Sequence, residues 1–76
     1  MSRELIEYVT KALIDHPEEM ELREIEEDGV VVYQLKVAPR DLGKVIGRRG
    51  RVARATRTLL KVSSIQHKQR AVLEIE

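Results

Sequence analysis

The chain has 76 residues, of which 42% are apolar, enough for one small domain with one modest core. It contains no cysteine, which excludes disulfides and thiolate metal sites, so its aliphatic core is either sufficient alone or completed by a partner. No segment approaches the length of a membrane span, and the Met-Ser-Arg-Glu start lacks the apolar region of a secretion signal; we therefore expect a cytoplasmic protein.

The net charge of +1 conceals a strong asymmetry along the chain. Residues 1–28 carry a net charge of −7, whereas residues 29–70 carry +10. A polyanion would be attracted to the second part and repelled by the first, so this pattern predicts that polyanion binding is confined to one face. The alternative is a protein that only complements its own charges for solubility.

The first segment predicts a helix. Residues 3–15 place apolar side chains at helical spacing, and Pro17 ends the helix because proline disfavours helical backbone in the residue before it. The chain has only two histidines, His16 and His67, and no cysteine to join them. We therefore predict no metal site and no cofactor.

A hairpin follows this helix. Residues 20–28 alternate between apolar and polar and then change parity at Ile25, which we interpret as a β-bulge near Arg23-Glu24. Asp28-Gly29 is a strong turn signal, and residues 30–38 alternate clearly as a second strand. We expect Tyr33 to pack in the core from this strand.

The second half predicts two helices and a last strand. Pro39 suits a helix start, so residues 40–46 give a short helix, and a longer one covers residues 51–62. Residues 63–70 lack periodicity and predict a polar loop before a strand that turns Ala71, Leu73 and Ile75 inward. The longer helix carries a basic stripe formed by Arg51, Arg54, Arg57 and Lys61.

Two glycines that bracket two arginines lie between these helices. Gly47 and Gly50 lack a Cβ and reach positive φ without strain, so the backbone can turn tightly and approach a ligand. The next helix opens at Arg51, where free N–H groups and the helix dipole favour an anion, and Arg48 and Arg49 add positive charge. This pattern predicts a phosphate clamp. The alternative is a plain corner, in which the glycines only cap helices and the arginines are solvated.

The motif Ile-Gly-x-x-Gly at 46–50 resembles the signature loop of KH domains, which clamps about four nucleotides of a single strand. The order α-β-β-α-α-β resembles the second type of KH domain, and segments 37–51 and 57–61 resemble small bacterial KH-domain RNA-binding proteins. The resemblance implies an α+β fold with a mixed three-stranded sheet and helices packed on one face. It implies a single domain over residues 1–76, with an N-terminal helix and strand at 2–28 and the core KH motif at 30–76.

The same resemblance implies a cleft for bases beside the loop. Its floor would be aliphatic, from Leu42, Val45 and Ile46, although Leu42 and Ile46 fit a plain core role equally well. The 63–70 loop would lie opposite the second helix of the motif. Ala53 stands where KH domains usually carry a larger aliphatic residue, which implies a shallow wall and weak base selectivity.

The predicted rim of this cleft is basic. Tyr8 and Tyr33 are the only aromatic residues, which excludes a base-stacking sheet platform and suits recognition by charge and shape. We expect single-stranded RNA as the ligand. The predicted RNA-binding residues are Lys44, Ile46, Gly47, Arg48, Arg49, Gly50, Arg51 and Arg54.

Other functional classes fit the sequence less well. No nucleophile, base and orienting group occur in a catalytic pattern, so we expect no enzyme. The main rival is a protein-interaction module whose basic helix docks a partner, and a DNA-binding helix-turn-helix is a third hypothesis that the flanking strands disfavour. The resemblance implies a homodimer, for which we predict Val62 and Ile65, and an association with a second KH protein.

Overall fold

The computed structural model describes residues 2–76 as one α+β unit with three α-helices and a three-stranded sheet. The chain order is the predicted α-β-β-α-α-β, with short 3₁₀ turns at Pro17–Glu19, Pro39–Asp41 and Arg48–Gly50. No helix in this described part is long and apolar enough to cross a membrane. The elements are α1 (Ser2–Leu13), β1 (Glu21–Glu27), β2 (Val30–Lys36), α2 (Leu42–Ile46), α3 (Arg51–Gln66) and β3 (Arg70–Ile75).

The sheet is mixed, as predicted. β1 and β2 are antiparallel, and Glu27 pairs with Val30 around a two-residue turn. Asp28 and Gly29 have φ of 51° and 79°, and positive φ at both central residues is the pattern of a type I′ turn. β2 then pairs in parallel with β3, which gives the order β1-β2-β3 and makes β1 and β3 the edges.

The predicted bulge near Arg23-Glu24 is wrong. Pairing between β1 and β2 is continuous from Glu21–Lys36 to Glu27–Val30. Strict alternation therefore puts Ile25 on the face opposite Leu22, where it is 38% exposed. The parity change in the sequence reflects an apolar residue on the open face of the sheet rather than an irregular strand.

The core lies between the sheet and the helices, which all pack on one face. Tyr33 is buried there, as predicted, in the middle of the central strand. The cluster is almost entirely aliphatic, and Tyr33 is its only aromatic member. It contains Ile6, Ile14, Leu22, Val31, Tyr33, Leu35, Val37, Val45, Leu60 and Leu73.

A buried carboxylate joins the end of α1 to the start of α2. Asp41 accepts the backbone N–H of Asp15 at 3.1 Å and of His16 at 2.9 Å, and its side chain is fully buried. Because these N–H groups bind a carboxylate instead of helical carbonyls, α1 ends at Leu13, two residues before the predicted end. Burial opposes the charge of Asp41, but the two N–H donors and nearby Lys44 outweigh it, so the pKa of this carboxyl lies below its usual value.

The last helix is longer than predicted, since α3 reaches Gln66 and residues 63–66 are helical rather than part of a loop. Ser63 Oγ lies 2.8 Å from Ser2 Oγ, a contact with α1 that local sequence does not reveal. The helix ends in a Schellman motif, with Lys68 at φ 53° and the Gln69 N–H bound to the Ser64 carbonyl at 2.9 Å. The loop to β3 is therefore only three residues long.

Candidate nucleic-acid interface

The loop between α2 and α3 is shaped by Gly47. Its backbone, at φ 77° and ψ 171°, is open essentially to glycine alone. A Cβ at this position would stand 2.4 Å from Val52 Cγ2, inside any permitted contact. The Gly47 N–H donates to the Gly43 carbonyl at 2.8 Å, which closes α2. Gly47 is thus required by its own backbone and by the close approach of α3.

The other three residues of the loop project outward. Arg48 and Arg49 are exposed, and Arg49 takes a left-handed backbone at φ 57°. Gly50 is also left-handed, at φ 72°, but a Cβ there would meet no atom within 4 Å. Arg54 Nη2 donates to the Arg49 carbonyl at 3.3 Å and so links the loop to the first turn of α3. The loop presents two free guanidinium groups beside an open space at Gly50.

A groove of about 350 Å³ begins at this open space. Its floor is apolar, from Ile46, Ala53 and Ile75, and two arginines stand along it. The predicted floor was partly wrong, because Val45 is buried in the core and Leu42 packs against that core. The groove is lined by Ile46, Gly50, Ala53, Arg54, Arg57 and Ile75.

Arg57 spans the groove toward the edge of the sheet. Its Nε and Nη2 each donate to the Leu73 carbonyl of β3, both at 3.4 Å. Hydrogen bonds of this length are weak, so the guanidinium can exchange this carbonyl for a ligand acceptor at little cost. Arg57 belonged to the predicted basic stripe but not to the predicted RNA-binding residues.

Five of the eight predicted residues lie outside the walls of this groove: Gly47, Arg48 and Arg49 belong to the loop at its end, and Lys44 and Arg51 make contacts elsewhere. Lys44 forms ion pairs with Asp15 and with Asp41, the latter at 3.6 Å. Its hydrogen bond to Asp15 raises the pKa of Lys44, so its positive charge is already matched by carboxylates. Arg51 begins α3 but faces the side toward α1. Ile46, Gly50 and Arg54 line the groove itself.

A sequence model of the KH domain of KhpA and KhpB matches residues 3–75 of this chain. The chain belongs to the KhpA/KhpB KH domain family. Among curated proteins, "RNA-binding protein KhpA" of Caldanaerobacter subterraneus subsp. tengcongensis is 46% identical over 72 residues, covering 95% of this chain and 96% of that protein. The protein of the same name in Treponema pallidum is 47% identical over 75 residues, covering 99% and 94%. That of Clostridium acetobutylicum is 41% identical over 73 residues, covering 96% and 97%.

The KH domain has a second groove on the other side of α3, between α3 and α1. It measures about 420 Å³ and is almost wholly apolar. Leu59 is 47% exposed at its edge, and Val62 continues the surface one turn further along α3. Ile65 is 68% exposed and lies further round the helix. The lining residues are Tyr8, Val9, Ala12, Leu13, Arg51, Val52, Ala55, Thr56 and Leu59.

The charge asymmetry of the sequence becomes a separation in space. The acidic strand β1 is one edge of the sheet, whereas the basic groove runs along β3 at the opposite edge. The sequence signal for the groove was incomplete because Ile75 joins it only through parallel pairing of β3 with β2. Arg57 could have been found, since it follows Arg54 and Ala53 at helical spacing.

Residues 2–76 also contain one group of three potential metal ligands, His16, Glu18 and Glu19, whose ligand atoms lie within 4.8 Å of one another. His16 Nδ1 is 3.4 Å from Glu18 Oε1, so a direct contact between these two side chains accounts for part of the group. Both carboxylates are exposed, and exposed acidic groups often cluster in a polar turn. The absence of a metal site remains a sequence prediction.

Proposed function

We propose that this KH domain binds single-stranded RNA in the groove between the Gly47–Gly50 loop, α3 and β3. The observation that carries the proposal is the continuity of the exposed Arg48-Arg49 loop with an apolar groove flanked by Arg54 and Arg57. Sugar-phosphate backbone would lie against the loop, and bases would enter the groove. Curated relatives bear the name RNA-binding protein, which supports the same ligand.

The predicted residues would contribute unequally. Arg48 and Arg49 neutralise phosphates at the loop, while Gly47 and Gly50 let the RNA backbone approach the N–H groups that open α3. Ile46 and Arg54 contact bases or the adjoining phosphates within the groove. Two further predicted residues, Lys44 and Arg51, act only at its margins, because Lys44 is paired with carboxylates and Arg51 faces α1.

Base preference should be modest. Neither tyrosine reaches the basic groove, since Tyr8 lines the opposite groove and Tyr33 is in the core. Without aromatic stacking, affinity depends on phosphate contacts and on shape. Ala53 gives a low floor, which leaves little wall to discriminate one base from another. A bacterial post-transcriptional regulator or RNA chaperone of the cytoplasm, acting in the control of cell shape and division, fits such broad recognition.

A titration with salt tests this ligand. Affinity for a short unstructured RNA should fall linearly with log salt, at a slope of about −0.7 for each phosphate neutralised, or about −2 for three arginines. An Arg54→Gln variant should reduce that slope by one contact, whereas Arg23→Gln, on the opposite edge of the sheet, should leave it unchanged. Affinity that does not respond to salt would reject the RNA groove.

The groove between α1 and α3, which is almost wholly apolar, favours a second function, association with protein. We infer that two copies form a homodimer through the α1–α3 surface and its continuation at Val62 and Ile65. A small core without disulfides gains stability by burying this exposed aliphatic surface. A KhpB-like KH protein would be the other occupant of the same surface. The rival hypothesis of a basic helix that docks a partner predicts instead that Arg54 and Arg57 lie in the protein interface.

A further inference from the structure

The face of the sheet that the helices leave uncovered carries an apolar row across all three strands. Ile25 of β1 pairs with Val32 of β2, which pairs with Val72 of β3. Ile25 is 38% exposed and Val72 is 45% exposed. Aliphatic side chains therefore face solvent in the middle of this open face.

Charges of alternating sign occupy the four corners around this row. Glu27 on β1 and Arg70 on β3 lie on one side of it, and Arg23 on β1 and Glu74 on β3 lie on the other. Within residues 2–76, no ion pair involves Arg23, Glu27 or Arg70. Glu74 accepts one hydrogen bond, from Gln34 at 3.1 Å. The open face thus displays charges that the chain itself leaves unmatched.

This arrangement is complementary to itself. If a second copy lies face to face across a two-fold axis that runs along the strands, Glu27 meets Arg70 of the second copy and Arg23 meets its Glu74. If the axis runs across the strands, Glu27 meets Arg23 and Arg70 meets Glu74. Sheets that pack face to face keep their strands nearly aligned at about 10 Å separation, which corresponds to these two orientations. In both, the apolar rows meet at the centre and each of the four corner charges faces its opposite. Glu21 and Lys36 lie on the same face, one row beyond Arg23 and Gln34, so the axis along the strands would place Lys36 opposite its own copy, whereas the axis across the strands would not.

We propose that the open face of the sheet is a self-association surface that pairs two copies of this chain. It is separate from the α1–α3 groove and does not depend on RNA binding. The apolar row is short, so the pairing is weak and concentration-dependent. Because the α1–α3 groove lies on the helix side, use of both surfaces links copies into chains, and neither surface covers the basic groove along β3.

Sedimentation velocity without RNA, from micromolar to millimolar protein, tests the proposal. The unmodified chain should exceed the mass of a dimer, and a Leu59→Arg variant, which closes the α1–α3 surface, should still form dimers. In that background Arg70→Glu places like charges opposite each other for either axis and should weaken association at least about tenfold. Val72→Arg, in the central row, should do the same.

Paired charge reversals keep the test decisive. Glu27→Arg/Arg70→Glu restores association if the axis runs along the strands, and Arg70→Glu/Glu74→Arg restores it if the axis runs across them. One of these double variants should recover the affinity and the other should not, and recovery also shows that the reversed residues are compatible with the fold. A monomeric Leu59→Arg variant at millimolar concentration, an unchanged Arg70→Glu variant, or failure of both double variants would overturn the proposal.

Discussion

The two sides of α3 carry grooves of comparable volume and opposite chemistry. Toward α2 and β3, the helix presents Arg54 and Arg57 along a groove of about 350 Å³. Toward α1, it presents Val52, Ala55 and Leu59 to a groove of about 420 Å³. A third side is buried in the core. One helix of 16 residues therefore supplies the walls of two sites and part of the hydrophobic interior.

The contrast follows from helical periodicity. Residues three and four apart share a side, so Arg54 and Arg57 form one stripe and Ala55 and Leu59 form another. The basic side also has a small residue at Gly50, which leaves space for a ligand backbone, whereas the apolar side is closed at the loop by contact between Gly47 and Val52. The proposed RNA site and the proposed protein interface therefore lie on opposite sides of one helix. Substitutions on one side should therefore leave the other intact.

The largest expected effect on stability is at Gly47, in the loop that packs against Val52 in the first turn of α3. Gly47→Ala forces a Cβ against Val52 and puts alanine in a glycine-only backbone region, so the free energy of unfolding should fall by about 3 kcal/mol. Gly50→Ala points into open space and should cost only about 1 kcal/mol, for its left-handed backbone. Urea unfolding of both variants measures the difference. Equal losses would contradict the close packing described at Gly47.

Leu59→Arg should affect the apolar side alone. Placing a charge in the α1–α3 surface should weaken the proposed homodimer by about 100-fold, or about 2.7 kcal/mol. Ile65→Arg should have a smaller effect, because Ile65 lies further round α3. Light scattering across protein concentration measures the dimer, and anisotropy with a short RNA should change less than about twofold. Gln69→Arg adds the same charge outside the groove and serves as the control. A dimer dissociation constant that is unchanged in both groove variants would remove this interface, since the weak association through the open face of the sheet is expected to persist only at high protein concentration.

A smaller, pH-dependent effect is expected at Asp41, which joins α1 to α2 and so supports the outer walls of both grooves. Its pKa is lowered by folding, so its contribution to stability is present above about pH 4 and is lost as the pH falls through the folded pKa. Asp41→Asn should lower the Tm at neutral pH and reduce its decline in acid. Asp15→Asn, at an exposed carboxylate of the same corner, should retain the decline. Circular dichroism melts across pH measure both, and parallel curves for all three proteins would contradict this role.

Much of the fold could be predicted from local signals. Asp28-Gly29 specifies a two-residue turn through its positive φ values, and the alternation of β2 specifies the buried face of the central strand. The Gly47–Gly50 loop was visible because backbone freedom and charge coincide in four residues. These features depend on the residues that form them and on little else.

The rest depended on contacts between distant segments. The end of α3 lies beyond the predicted one because Ser63 meets Ser2 and Lys68 accepts a left-handed backbone. Ile75 lines the groove only because β3 pairs with β2. The charge of Lys44 is balanced only because the fold places Asp15 beside it. Periodicity reports which side of an element is apolar, but it does not report which partner covers that side.

The proposed RNA clamp is tested most directly by reversing the charge at the loop. Both arginines are exposed, and aspartate tolerates the left-handed backbone of position 49, so Arg48→Asp/Arg49→Asp should leave the melting temperature and the homodimer nearly unchanged. Affinity for single-stranded RNA, measured by fluorescence anisotropy, should fall at least about tenfold, or about 1.4 kcal/mol. Arg23→Glu/Lys36→Glu makes the same change in net charge away from the groove and should have a much smaller effect. Unchanged RNA affinity in the folded loop variant, or an equal loss in the control, would contradict the clamp and leave the loop as a corner between two helices.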